Sequence, residues 1–225
     1  MPTLQELYHR LIAAYGPQGW WPLLNHAGSN PTKTGSITGY HPGTYDFPRT
    51  PAERFEICAG AILTQNTAWT NAEQALRELS ELNALSPDGL DRLSDDGLRQ
   101  AIRPAGYFNA KTRKLREFTT HLRAWGNATP SRDQLLAVWG IGPETADSIR
   151  LYAYGQLELV VDAYTSRVLG HLGIADPKAS YDQLKASCVA ALPADLVIYQ
   201  EFHALLVEHA KRTYRRRPYR DALFE

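Results

Sequence analysis

Apolar side chains recur along this chain every three or four positions, as in Leu4, Leu7, Leu11 and Ile12, then Ala72, Ala75, Leu76 and Leu79, then Leu196, Val197, Phe202, Leu205 and Leu206. That spacing gathers them on one face of an α-helix. Long runs with the period of two that a half-buried strand needs are missing. Residues suited to capping mark helix starts: Ser94 before Asp95 and Asp96, Ser131 before a leucine-rich turn, and Asp162 after Val160 and Val161. The pattern predicts an all-α chain of about ten helices joined by short turns. Periodicity stops between Leu23 and Thr50, where Gly, Pro, Ser, Thr and Asn dominate, which predicts a long loop or insertion. Its isolated histidines, His26 and His41, are expected to face solvent. No internal repeat is evident.

With 225 residues, 44% of them hydrophobic and 21% charged, the chain has enough apolar material for a folded core. The start Met-Pro-Thr-Leu-Gln-Glu-Leu-Tyr lacks a basic region followed by an apolar run. No stretch approaches the roughly 18 uninterrupted apolar residues of a membrane helix. The expectation is a cytoplasmic protein with no membrane partner. Cys58 and Cys188 each sit among apolar or small residues, which predicts buried thiols rather than a disulfide or a cysteine metal site. Formal net charge is zero, yet Lys211 to Arg220 reads Lys-Arg-Thr-Tyr-Arg-Arg-Arg-Pro-Tyr-Arg. That cluster suits either several phosphates or a solvated basic tail.

The segment from Leu135 to Asp147 reads as an apolar helix end, a turn at Gly140-Ile141-Gly142, and a new helix with Pro143 in its first position. Glycines at 140 and 142 let the backbone turn tightly and approach a ligand. The following helix start, with Glu144 and Thr145, presents N–H groups suited to an anionic oxygen such as a nucleic-acid phosphate. Eighteen positions after Glu144 stands Asp162, within Leu-Val-Val-Asp-Ala-Tyr.

This hairpin, followed at that spacing by an aspartate, resembles the signature of the helix-hairpin-helix DNA glycosylase superfamily of the endonuclease III type. Two further segments extend the likeness: Phe55 to Thr67 resembles the family's helix ending in a glutamine, here Gln65, and Gly106 to Lys111 resembles its second DNA-probing loop, which would offer Tyr107. The resemblance implies a base-excision-repair enzyme that flips a damaged base out of double-stranded DNA and cuts its glycosidic bond. Asp162 would be catalytic, its carboxylate stabilising positive charge on the sugar; it also suits a helix N-cap, and both roles are compatible. Gly140, Ile141, Gly142 and Thr145 would bind phosphate, while Gln65 and Tyr107 would fill the gap left in the stack.

At the position of Glu144 strand-cleaving members carry a lysine that forms a Schiff base. A carboxylate cannot do so, which implies a monofunctional, hydrolytic enzyme without AP-lyase activity. Glu144 suits either the base pocket or the helix dipole. Many relatives end in four cysteines that hold an iron–sulfur cluster; residues 201–214 contain none, so no cluster and no other cofactor is expected, although hairpin carbonyls near Trp139 to Gly142 could hold a cation as in relatives.

Gln-Gly-Trp-Trp-Pro at positions 18–22, with Gly-Ile-Gly followed by Glu144 and the cluster-free tail, is similar to the 3-methyladenine DNA glycosylase III subfamily. That likeness implies a base pocket lined by Trp20, Trp21, Pro22, Phe55, Glu144 and Lys211. An N3-alkylated adenine is cationic and suits an aromatic slot, against which the lysine fits awkwardly. The tryptophans equally suit a hydrophobic clamp on the core. Two helical lobes are expected, residues 51–157 forming one and 1–50 plus 158–225 the other, in a monomer with DNA across the cleft. A glycosylase for a mismatched or oxidised pyrimidine and a non-catalytic DNA-damage binder remain open alternatives.

Overall fold

The computed structural model describes residues 2–224. In chain order the helices are α1 (Leu4–Tyr15), α2 (Pro51–Leu63), α3 (Trp69–Glu81), α4 (Pro87–Arg92), α5 (Asp95–Ala101), α6 (Phe108–Trp125), α7 (Arg132–Leu136), α8 (Pro143–Ser148), α9 (Ala163–His171), α10 (Tyr181–Ala191) and α11 (Leu196–Thr213). A 3-10 turn covers Arg103–Ala105, and a π-helical turn, Ile149–Ala153, continues α8. Extended pairing among the described residues is limited to an isolated bridge between Ser29 and Thr38, so the fold is all-α as the periodicity predicts. Ser94, Ser131 and Asp162 cap α5, α7 and α9 with side-chain acceptors. Thr3, Thr50, Ser131 and Ser180 complete reciprocal capping boxes.

Two helices are enclosed on nearly all sides. Every residue of α2 from Phe55 to Leu63 is buried, since α3, α6, α8 and the π turn pack around it. Helix α11 is buried continuously from Tyr199 to Ala210, packed by α1, α9 and the π turn. It carries polar groups inward, and each finds a partner, as burial demands. Glu201 accepts from the Gln18 amide at 2.8 Å and the Tyr45 hydroxyl at 3.1 Å. His209 lies 2.8 Å from the Tyr15 hydroxyl and 2.9 Å from Asp221, which also accepts from Tyr214 and so fixes the tail beyond α11.

The segment between α1 and α2 is a long loop, but its histidines do not both face solvent. His41 is 4% exposed, with ring nitrogens 2.8 Å from the Thr44 carbonyl and 3.0 Å from that of Trp21. His26 is half-buried, edge-on to Phe47 at 5.1 Å. The reason is a shortage of backbone partners. A segment without helix or ladder must pair its buried main-chain groups with side chains, and His41 and Asn30 do this from within the loop. Glu56 does it from α2, accepting the Leu24 N–H at 2.6 Å. Burial pushes the Glu56 carboxyl up to about 7, the Leu24 bond opposing the shift.

Below the hairpin, Asp147 of α8 is fully buried and accepts from Arg132 at 2.8 Å, Lys185 at 2.8 Å and the Tyr181 hydroxyl at 2.7 Å. Lys185 and Arg150 also meet Glu158, at 2.5 and 3.0 Å. These bonds join α7, α8 and α10 to the strand-like segment that leads to Asp162.

Removing one member of such a network leaves buried charge uncompensated, so Asp147→Ala is expected to lower unfolding free energy by about 3–5 kcal/mol in urea titrations. Glu56 gives a pH-dependent expectation. Its proton is held to about pH 7 in the folded chain but is lost near the ordinary 4.5 when unfolded. The stability contributed by the protonated form is complete below the unfolded value and disappears as pH rises to about 7. Wild type should therefore lose stability relative to Glu56→Gln across that window, read from denaturant midpoints at successive pH values.

Candidate active site

The start of the N-terminal loop, the end of α2, the first turns of α8 and α9 and the middle of α11 enclose a cavity of about 300 Å³, within the range for a small-molecule or base pocket. Trp20, Trp21, Pro22, Glu144, Asp162 and Lys211 all line it, and so does Gln65 at its mouth.

Asp162 occupies the floor as the N-cap of α9. Its Oδ1 accepts from the Thr165 backbone N–H at 2.7 Å and hydroxyl at 2.9 Å, leaving Oδ2 toward His203, whose Nε2 is 3.8 Å away. Burial works to raise the carboxyl's pKa, but the contact and charge of His203 together with the two Thr165 bonds outweigh it and hold the group below its ordinary value. Asp162 is thus both cap and carboxylate. His203 is fixed from behind by the Tyr152 hydroxyl, 2.8 Å from Nδ1, which donates to the Gln200 carbonyl at 3.0 Å.

The aromatic wall is built by mutual packing. Trp21 meets Trp69 edge-on at 5.4 Å and Tyr152 at 5.3 Å, while Trp20 stands edge-on to His203 at 5.4 Å. Gly60 of α2 makes room for this stack, since a Cβ there would lie 3.0 Å from the Trp21 indole nitrogen and 3.4 Å from the Trp69 ring. The Lys211 ammonium lies 5.9 Å from the Trp20 ring centre. Burial draws its pKa down, with Glu208 and Asp162 opposing. Glu144 is raised by desolvation in the pocket mouth and by the charge of Asp162, His203 acting the other way.

Residues 135–147 form a helical hairpin. Gly140 takes a positive φ of 83°, and a Cβ there would strike the aliphatic part of Lys114 at 2.6 Å. Gly142 has an ordinary extended φ of −94° as N-cap of α8, so its contribution is open space rather than an unusual backbone. Ile141 and Thr145 are buried, the latter accepting from the Gln65 amide at 2.8 Å. Gln65 also donates to the Gly140 carbonyl at 3.2 Å, and a cation at that oxygen would have to displace this amide. Tyr107, 70% exposed, initiates α6 in a left-handed conformation. Both turns share an anchor: the buried Lys111 donates to Leu63 at the end of α2 and to Ala105 before Tyr107, each at 2.8 Å.

Phe55 is not in this cavity. It borders a separate groove with Arg54, Cys58 and Tyr154, because the six-position step from it to the cavity-facing Ala61 turns its side chain by about two thirds of a circle. The aromatic groups that do line the cavity besides Trp20 and Trp21 are Tyr40, Trp69 and Tyr164, joined by Thr34 and Ser36 of the loop. Sequence reading missed these. His203 had a faint signal: with Val207 and Lys211 it forms an i, i+4, i+8 stripe along α11, all facing the cavity. The loop residues had none, since their position depends on how an aperiodic segment folds back. Among the described residues no group of three or more His, Cys, Asp or Glu side chains is placed to hold a metal ion, and no helix is long and apolar enough to cross a membrane.

An all-α chain with a glycine hairpin beside a cavity-lining aspartate defines the class, and comparison with known proteins defines the family. Residues 59–194 match the HhH-GPD superfamily of base excision DNA repair proteins. A Methanocaldococcus jannaschii protein that carries the name of a DNA repair glycosylase is 36% identical over 225 residues, covering 95% of this chain and 90% of that one. The chain belongs to the HhH-GPD superfamily and is a DNA glycosylase of endonuclease III-like fold. A thymine-DNA glycosylase of Aeropyrum pernix is 26% identical over 76% of this chain and 79% of its own length. Among solved structures, the H. pylori 3-methyladenine DNA glycosylase bound to 1,N6-ethenoadenine superposes with a TM-score of 0.65 at 25% identity, over 70% of this chain and 85% of that one. A trapped endonuclease III–DNA covalent intermediate gives 0.74 at 17% identity, over 96% and 90%.

Removing the imidazole should let burial dominate at Asp162. His203→Ala is expected to shift the carboxyl's titration to higher pH, read by carboxyl-carbon NMR, with the fold retained by circular dichroism.

Proposed function

We propose that this chain is a monofunctional DNA glycosylase that hydrolyses the N-glycosidic bond of a flipped, alkylated purine, with 3-methyladenine as the favoured base. The observation that carries the reading is the placement of a carboxylate, Asp162, at the floor of an aromatic cavity sized for a base. When the C1′–N bond breaks, its electron pair leaves with the base and positive charge develops on the sugar. A carboxylate fixed beside that carbon stabilises the charge and orients the water that completes hydrolysis. Being held ionised, Asp162 is ready for this without a prior proton transfer.

Several features support the alkylated purine. Trp20, Trp21 and Tyr40 offer ring faces and edges to a flat, electron-poor base, with attraction of roughly 0.5–2 kcal/mol per cation–π contact. A base already made a good leaving group by alkylation needs little acid catalysis, which suits a floor with one low-pKa carboxylate. Glu144, at the hairpin position where the resemblance places a lyase lysine, offers no amine for a Schiff base. On the protein surface, Gln65 and Tyr107 would enter the stack vacated by the flipped base while the hairpin from Gly140 to Thr145 holds a phosphate. Arg113, stacked 3.9 Å from the exposed Trp139 ring, extends the cationic face beside the hairpin. The reading needs no cofactor and a single copy of the chain.

Alkylated duplex DNA should release free 3-methyladenine with wild type, and Asp162→Asn should slow release at least about 100-fold while retaining duplex affinity. Strand nicking and borohydride-trapped adducts are expected to be absent. Release of uracil, thymine or thymine glycol in place of alkylated purine would overturn the substrate assignment; a trapped adduct lost in Lys211→Ala would overturn the monofunctional one.

A further inference from the structure

The loop that closes the cavity carries hydroxyl groups whose protons are already committed. Residues 30–38 form a compact turn around the buried Asn30, whose amide donates to the Thr34 carbonyl at 2.8 Å and the Ser36 carbonyl at 3.0 Å, while its main-chain N–H donates to the Ile37 carbonyl at 2.7 Å. The turn is pinned to two helices by its side chains. Thr34 Oγ1 donates to Glu208 of α11, and Ser36 Oγ donates to Glu73 of α3. Each carboxylate is held on its other side by an arginine one turn away on the same helix: Arg212 bonds Glu208, and Arg77 bonds Glu73 at 2.5 Å. Arg212 also donates to the Thr32 carbonyl at 2.9 Å, adding a third tie. Thr32 spends its own hydroxyl proton on Asn30 Oδ1 at 2.9 Å.

Thr34, Gly35 and Ser36 line the cavity. A hydroxyl has one proton and two lone pairs. Where the proton goes to a carboxylate behind the wall, the oxygen turns lone pairs to whatever lies in front, and the carboxylate polarises the O–H bond and strengthens it as an acceptor. Donors stand elsewhere in the cavity lining, at Lys211 and His203 of α11 and at the indole N–H groups of Trp21 and Trp69, which have no hydrogen-bond partner. We propose that Thr34 and Ser36 form an acceptor wall that reads an N–H-bearing edge of the extruded base, selecting alkylated purines with an exocyclic amino group over bases that lack one. The inference rests on the functional reading above and adds the specificity-determining residues. It also gives the 23–50 insertion a role, as the variable wall of the pocket.

The test uses Thr34→Val with Ser36→Ala, which removes both hydroxyls, the first with nearly unchanged shape. Single-turnover release of 3-methyladenine from alkylated duplex DNA should fall about tenfold or more. Affinity for duplexes carrying a tetrahydrofuran abasic analogue or 1,N6-ethenoadenine, neither of which presents an amino N–H, should stay as in wild type. Thr34→Ser with Ser36→Thr restores the hydroxyls and should recover most of the lost rate. Unchanged 3-methyladenine release in the double variant would overturn the proposal. So would equal losses on all three duplexes, or failure of the hydroxyl-restoring pair, which would make the loop a general support for the fold. If wild type itself releases no alkylated purine, the functional reading fails first, and the wild-type arm alone identifies that case.

Discussion

The interaction on which the candidate site depends is the one that holds the Asp162 carboxyl below its ordinary pKa. A carboxylate removed from water reverts to its neutral acid unless hydrogen bonds and opposite charge favour the anion. At Asp162 the helix start of α9 supplies the Thr165 bonds and α11 supplies His203. Neither is local in the chain to the aromatic wall facing them. The buried Asp147 cluster then holds the hairpin and the segment before Asp162 in one frame.

The same logic explains why α11 is so polar for a buried helix. Its interior-facing groups each serve a different neighbour: Glu201 the turn at Gln18, His203 the aspartate, Glu208 the loop at Thr34, His209 the tail at Asp221. Paired, these groups cost little and specify position, whereas apolar replacements would pack without fixing the loop over the cavity. The N-terminal loop can then enclose a pocket without secondary structure of its own. Its main chain is satisfied by bonds within the segment, such as Leu23 to Gly39 and His41 to Gly19, and by the side chains of Asn30, His41 and Glu56.

Mutual dependence also explains the shape of the aromatic wall. Trp21, Trp69 and Tyr152 come from the loop, from α3 and from the π turn, and they meet at Gly60, where the absence of a side chain allows the indole to approach α2. A cavity assembled from three separate parts of the chain is stable because each ring buries its neighbours' faces.

The one-dimensional pattern settled what depends on near neighbours. Helical periodicity, the caps at Ser94, Ser131 and Asp162, the glycine hairpin and the aperiodic stretch after Leu23 are local regularities, and so were legible, as were the motifs around Asp162, Gln65 and Trp20. What required tertiary structure was rotation and return. Phe55 is turned away by the helical phase that brings Ala61 to the cavity, and Tyr40 of the loop joins the cavity lining. His41 is buried because the carbonyls of Trp21 and Thr44 pair with it, and Thr34 and Ser36 reach the cavity because Glu208 and Glu73 stand where the loop folds back. The tie from Thr34 to Glu208 spans 174 positions of chain and that from Ser36 to Glu73 spans 37, which no local spacing encodes.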